Sequence, residues 1–332
     1  MKLWIDGQCF QTGSSVRGIG RYVADFLCAL QQDEGVELIV SLNGRMKREA
    51  VDARQYLEGI LPRARIEIWY GIAGNGEFFE GYSEERQTDE RILAGHINEI
   101  APDIALSPSP FEGHGDRASP FITPELVEAV TACIYHDAIP YRYPDVYLRE
   151  ENARKLYMRR FDKIDQFDLV LCNSDFTRSE YIDIYGKDNA ATIGAGLSET
   201  FTRLVDAWQP DPRSIGAQLG QYALYVGGMD WRKNVPFLVN GLSRVPEVQR
   251  GDLKLVLAGD NGEELIAPIR KMWGEHGLPP ETLVSTGWIS DAQLVDLYKH
   301  AAVTLQPSIM EGFGLTALES WACGTPFLSA PG

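Results

Sequence analysis

The chain has 332 residues, 44% of them apolar and 23% charged, with a net charge of −16; this length suits two domains and this composition an ordinary globular protein. The acidity argues against sequence-independent binding of nucleic acid and against an overall grip on anionic lipid, though it leaves room for a local basic pocket around one phosphate ligand. No apolar run is long enough to span a bilayer, an Asp at position 6 interrupts any signal-peptide core, and the five scattered cysteines (Cys9, Cys28, Cys133, Cys172, Cys323) show no C-x-x-C spacing. The expectation is a cytoplasmic protein whose cysteines are small buried hydrophobes.

Short apolar runs alternate with helical patterns. Leu3-Trp4-Ile5 reads as a first strand, and Val23, Phe26, Leu27 and Leu30 then repeat at helical spacing. Strands follow at Val36–Val40 and Ile66–Trp69, a helix at Ile92–Ile100, and strands at Asp103–Leu106, Ala132–Tyr135 and Leu169–Cys172. Such alternation means a parallel sheet covered on both faces. A second series begins near Tyr222: strand Ala223–Val226, a helix from about Val235, strand Lys254–Ala258, helix Gly262–His276, strand Val284–Thr286, helix Asp291–His300 with Ser290 as its cap, and strand Val303–Leu305. Between the series, Gly, Pro and Asp with weak periodicity read as a hinge. The expected division is a domain at 1–197, a linker at 198–220 and a second domain at 221–332. Phe327–Ser329 is a further strand, and a second domain of this type is expected to continue beyond it in a longer chain.

The strongest chemical signal is Met310-Glu311-Gly312-Phe313-Gly314-Leu315-Thr316-Ala317-Leu318-Glu319. Gly312 and Gly314 let backbone approach a ligand closely. The helix starting at about Gly314 offers free N–H groups and a dipole to an anion, so a diphosphate is expected at its front. Gly324 and Pro326 end that helix. Glu311 lies on the loop before it, and Glu319 about one and a half turns in, placed to accept from ligand hydroxyls. A second signal is Tyr225-Val226-Gly227-Gly228-Met229-Asp230-Trp231-Arg232-Lys233-Asn234, a strand and polar turn whose two cations can neutralise a diphosphate leaving group. An exposed basic turn is the plain alternative for Arg232. In the first half, the glycine-rich segment from Thr12 to Tyr22 joins the first strand to its helix and is a weak phosphate-loop pattern. His136, in Tyr135-His136-Asp137, follows a strand, at the end where ligands gather in open α/β sheets. Phe111-Glu112-Gly113-His114 is another candidate for that edge.

The Glu311–Glu319 spacing resembles the E-x7-E motif of family 4 retaining glycosyltransferases, and the resemblance runs along essentially the whole chain, densest in its second half. It implies the GT-B fold: α/β, two Rossmann-like domains with parallel sheets facing across a cleft. It implies that Glu311 lies near a donor sugar, that Glu319 binds the nucleotide ribose, and that the backbone of Gly312, Phe313, Gly314 and Leu315 meets diphosphate and sugar. It gives Lys233 to the donor phosphates; the family's Arg often falls where Gly228 stands here, so Arg232 takes that role. Gly287-Trp288-Ile289 resembles the segment that meets the base, with Ile289 at the donor. The glycine-rich loop, with Gly18 and Gly20 at the donor and Arg17 at phosphate or acceptor, is similar to that of mannosyltransferases that build bacterial surface polysaccharides. His136 matches the active-site His, and Asp137 orients its loop or touches the acceptor. Asn173-Ser174-Asp175-Phe176 resembles a family segment as well, with helix capping as the other reading.

What the resemblance implies is retaining transfer of a sugar from a nucleotide sugar, with GDP-mannose as the first choice, to a hydroxyl of a growing lipid-linked surface glycan. The absence of any D-x-D pair implies that no metal and no cofactor is needed. Peripheral association with the inner face of the membrane or with a polysaccharide-assembly complex fits that role. The alternatives are a UDP-sugar donor, a non-catalytic module of a larger polymerase, and an epimerase of similar architecture.

Overall fold

The structure is a computed structural model describing residues 1–16, 18–118, 122–259 and 261–330. It divides into two compact units, Met1–Ala195 and Gly196–Gly332. The first is built on seven parallel strands: β1 (Lys2–Asp6), β2 (Glu37–Asn43), β3 (Arg65–Trp69), β4 (Ile104–Ser107), β5 (Val130–Tyr135), β6 (Leu169–Cys172) and β7 (Ala190–Thr192), in the order β3-β2-β1-β4-β5-β6-β7. Its main helices are α1 (Gly18–Leu30), α2 (Lys47–Ile60), α3 (Glu84–Ile100), α4 (Glu151–Phe161) and α5 (Asp175–Tyr185). Side chains alternate along each strand, so both faces need covering. Leu3 and Ile5 of β1 pack with Leu38, Val40 and the α1 residues Val23 and Leu27; Trp4 packs on the other face with Ile39 and with Leu93 and Ile97 of α3.

The second unit repeats the plan with five parallel strands: β8 (Tyr222–Val226), β9 (Lys254–Ala258), β10 (Leu283–Gly287), β11 (Val303–Gln306) and β12 (Phe327–Ser329), in the order β10-β9-β8-β11-β12. Its main helices are α6 (Glu199–Ala207), α7 (Val235–Leu242), α8 (Glu263–Glu275), α9 (Asp291–His300) and α10 (Leu315–Ala322). Ala223 and Tyr225 face Leu238, Val239, Ile266 and Ile269, whereas Tyr222 and Leu224 face Phe201, Leu294 and Tyr298. Ser290 caps α9 in a reciprocal box with Gln293, and Ser174 accepts from the Thr177 amide at the start of α5.

The stretch 198–220, expected to be a linker, differs. It holds α6 and a short helix, Ile215–Leu219, and belongs to the second unit. The reason is burial. Phe201 is fully enclosed, and Leu204, Val205 and Trp208 pack around it against the sheet. Four cysteines are buried and Cys28 is half-buried, all as free thiols.

In both sheets the chain leaves its first strand in one direction and later returns to that strand's other side. The order reverses between β1 and β4 and between β8 and β11. Loops leaving the carboxyl ends of such a pair diverge and open a crevice for ligands.

Candidate functional site

The second unit's switch point explains why two strings far apart in sequence meet. β8 and β11 are neighbours, so the loop after Val226 and the loop after Gln306 leave the sheet side by side. The Ile309 amide donates to the Arg232 carbonyl at 2.7 Å and fastens them. A single turn at Trp231–Lys233, capped by Asp230, then presents Arg232 and Lys233.

Both cations converge on Glu311. Lys233 Nζ donates to Oε1 at 2.6 Å and Arg232 to Oε2 at 2.5 Å. Oε1 also accepts from Gln306 Nε2 at 2.9 Å and Ser308 Oγ at 2.7 Å. Asp230 also lies 3.5 Å from the Arg232 guanidinium. Burial alone would raise the Glu311 carboxyl, but Lys233, Arg232 and the hydrogen bonds from Lys233 and Ser308 hold it at about 2. The carboxylate is therefore ionised at any physiological pH. It marks a point where two fixed positive charges and two neutral donors meet, an arrangement suited to an oxyanion.

Around it the backbone is shaped by glycine. Gly314, the N-cap of α10, has φ +90°, a conformation open to glycine and strained for other residues. Gly312 and Leu315 are half-buried and Phe313 is exposed. Gly228 accepts from the Tyr225 hydroxyl at 2.5 Å, and Asn261 Nδ2 donates to the Gly227 carbonyl at 3.0 Å. Glu319 lies inside the unit, where the Tyr298 hydroxyl donates to its Oε2 at 2.8 Å. Ile289 is half-buried and packs on the core that holds Leu294 and Tyr298. Arg232, Lys233 and Glu311 are thus brought into contact, and Gly228, Gly312, Phe313, Gly314 and Leu315 lie on the same two loops. Gln306 and Asn261 belong to no motif in the sequence, which also gives no sign of the roles of Ser308 as a partner of Glu311 and of Tyr225 as a partner of Gly228. The one pointer to Gln306 is its place as the last residue of a strand that leads into the glutamate loop.

His136 lies in the first unit, just past β5. Its Nε2 sits 2.8 Å from the Pro108 carbonyl beyond β4. A carbonyl can only accept, so the proton belongs on Nε2 and the Nδ1 lone pair stays open. Burial lowers the imidazole's pKa and the Pro108 bond opposes that in part, which leaves the ring neutral. Tyr22 of α1 meets it edge-on with centroids 5.5 Å apart, and Asn173 Nδ2 holds its carbonyl at 3.0 Å. Asp137 accepts from the Ile139 amide at 2.9 Å. Gly20 is buried, and a Cβ there would stand 2.4 Å from the Ser14 carbonyl. Gly18 is exposed, with nothing within 4 Å of the same position. Arg17 lies outside the described residues.

Beneath the glycine-rich loop runs a buried polar network, of which the sequence pointed to Thr12 and Glu112. Asp6, at the end of β1, accepts from Gln8 Nε2 at 2.9 Å; Gln8 Oε1 accepts from Asn43 at 3.1 Å; Gln11 exchanges two hydrogen bonds with the Asn43 backbone. Glu112 accepts from Thr12 at 2.7 Å and Ser109 at 2.8 Å. Burial raises Asp6 to about 8, with the Gln8 hydrogen bonds opposing it and Glu112 adding to it; Glu112 is raised by burial too. Arg160, fully buried, donates to the Pro110 and Glu112 carbonyls and pairs with Glu77 at 3.0 Å.

Residues 215–331, which contain the whole Arg232–Lys233–Glu311 cluster, match the family model of glycosyl transferases group 1. The chain carries a domain of that family, and its two parallel-sheet units have the GT-B fold. It is similar to mannosyltransferases of Escherichia coli. It is 28% identical, over 99% of its length, to the serotype-specific mannosyltransferase WbdA of Escherichia coli, and spans 40% of that protein. The O-antigen chain mannosyltransferase B of Escherichia coli is 30% identical over 62% of this chain and 54% of its own. In fold, the chain is similar to Anabaena HepE in complex with UDP and glucose, with a TM-score of 0.60 and 16% identity over 99% of this chain and 80% of the other. No described helix is long and apolar enough to cross a membrane.

Proposed function

We propose that the chain is a retaining glycosyltransferase that moves a sugar, best read as mannose from GDP-mannose, to a hydroxyl of a growing surface glycan. The observation that carries this reading is the convergence of Arg232 and Lys233 on one carboxylate oxygen pair beside the α10 N-terminus. A nucleotide diphosphate needs such fixed donors as its bond to the sugar breaks. In this reading the diphosphate shares the two cations with Glu311, and the amides from Phe313 to Leu315 complete its cradle. Glu311 and the neutral His136 hold the sugar, and Glu319, oriented by Tyr298, meets the ribose. Gly18 and Gly20 face the donor; Arg17 and Asp137 serve the acceptor. With cations supplied by side chains, the reaction proceeds without a metal. The names of the relatives support mannose and O-antigen. HepE, crystallised with UDP, keeps a UDP-sugar as the second reading.

The test is calorimetric titration with GDP-mannose, UDP-glucose and UDP-N-acetylglucosamine, with and without EDTA, beside Lys233→Ala. Binding of one donor that persists in EDTA and weakens at least about tenfold in the variant is expected, since a charge-assisted contact is worth roughly 1.5 kcal/mol or more. No binding of any donor, or equal binding by the variant, overturns the assignment.

A further inference from the structure

The first unit has an open surface cavity of about 690 Å³, lined mainly by exposed charged side chains, between the β2–α2 connection and the segment after Glu112. Four cations line it: Arg45, Lys47 and Arg48 on one wall and Arg117 on the other. Two carboxylates, Glu49 and Asp116, also lie there, and Asp116 spends one oxygen on the Ala118 amide at 2.8 Å. In a chain of net charge −16, this local surplus of positive charge is out of character. Arg48 reaches Asp52 only at 3.8 Å on an exposed helix face, and Arg45, Lys47 and Arg117 form no ion pair among the described residues.

Both walls are built rather than loose. Arg45 follows Asn43, whose Oδ1 accepts from the Arg45 amide at 3.0 Å and which Gln8 and Gln11 hold from below. Opposite, Thr12, Ser109 and Arg160 fasten Glu112. The Asp116 carbonyl rests on Gly76, where a Cβ would stand 1.9 Å away. Residues 8–12 therefore hold Asn43 and Glu112, the residues that lead into each wall, and they continue directly into the glycine-rich loop.

We infer that this cavity is a binding site for a phosphate or diphosphate ester. Its size suits a small ligand, and guanidinium groups pair with phosphate through two parallel hydrogen bonds. All its residues belong to the first unit, so the site stands or falls independently of the donor reading. The phosphate can come from a soluble or glycan-borne ester or from a lipid headgroup.

The experiment titrates the full chain with inorganic pyrophosphate by calorimetry, and measures co-sedimentation with phosphatidylglycerol and with phosphatidylcholine vesicles. Arg45→Ala/Arg117→Ala is compared with wild type, with Lys47→Glu as a second variant, and with Arg91→Ala/Arg154→Ala as an equal change of charge elsewhere on the unit. Lys233→Ala removes any pyrophosphate binding that belongs to the second unit. Pyrophosphate binding that weakens at least about tenfold in the cavity variants, and not in the Arg91/Arg154 control or in Lys233→Ala, supports a soluble or glycan-borne phosphate. Co-sedimentation with phosphatidylglycerol alone, lost in the same variants, supports a headgroup. A wild type that binds neither probe, or cavity variants that behave as the control does, overturns the inference.

Discussion

Asp6 ends β1 and Glu311 follows β11, each beside the point where its sheet's strand order reverses, yet their surroundings push them in opposite directions. Asp6 has amide donors around it, and burial prevails, raising it to about 8. Glu311 is half-buried, but two cations outweigh the cost of that burial and hold it at about 2. The Glu311 shift is a statement about stability. Its folded pKa lies below the unfolded value near 4.5, so the contribution is complete above that value and is lost as pH falls toward about 2. At neutral pH it is on the order of 3 kcal/mol. Glu311→Gln should therefore lower the unfolding temperature at pH 6, and the gap to wild type should narrow by pH 3, as followed by calorimetry at both pH values. A gap of equal size at both would mean that the cations do not stabilise the ionised carboxylate.

At the level of elements, the two glycines of the first loop separate packing from chemistry. Gly20 lets α1 lie against the turn at Ser14 and Ser15, where a Cβ has no room; Gly18 has open space around it. Gly20→Ala should destabilise the protein by about 1–3 kcal/mol, as over-packing does. Gly18→Ala should leave the melting temperature within the range of an ordinary surface change. Weaker donor binding by a stably folded Gly18→Ala would give that residue a role at the ligand, and unchanged binding would leave it none. Regular elements were legible wherever period or punctuation was strong. Lys254–Ala258 and Phe327–Ser329 have the bounds that the sequence suggests, as does Asp291–His300 with its Ser290 cap. The three-residue β7 was too short to show a period. The Glu311 motif could be read because its residues are contiguous, whereas the Asn43–Gln8 and Thr12–Glu112 contacts span 35 and 100 positions and leave no local pattern. The helix α6 was missed although Phe201, Leu204, Val205 and Trp208 have helical spacing and Ser198 precedes them as a cap. Nearby Pro and Gly give the segment the composition of a hinge.

That missed helix sets the boundary of the second unit at the scale of the whole molecule. Each unit has its own sheet with cores on both faces, which is what independent folding requires. The sheet of the second unit starts at Tyr222, but its core reaches back further. Phe201 is enclosed against Tyr298, the Trp208 ring nitrogen donates to Asp296 at 3.1 Å, and the Gly216 amide donates to the other Asp296 oxygen at 2.8 Å. A fragment beginning at residue 221 would leave Asp296 without these donors and expose the face that Phe201 covers. Loss of one large aromatic side chain from a core costs about 3–5 kcal/mol, a large part of a domain's net stability. A fragment of residues 196–332 should therefore unfold cooperatively in denaturant, and one of residues 221–332 should melt far lower or lack a cooperative transition, both followed by circular dichroism and tryptophan fluorescence. Equal stability of the two fragments would show that α6 is a tether and restore the linker at 198–220. Failure of both would mean that the second unit needs residues outside 196–332 to fold.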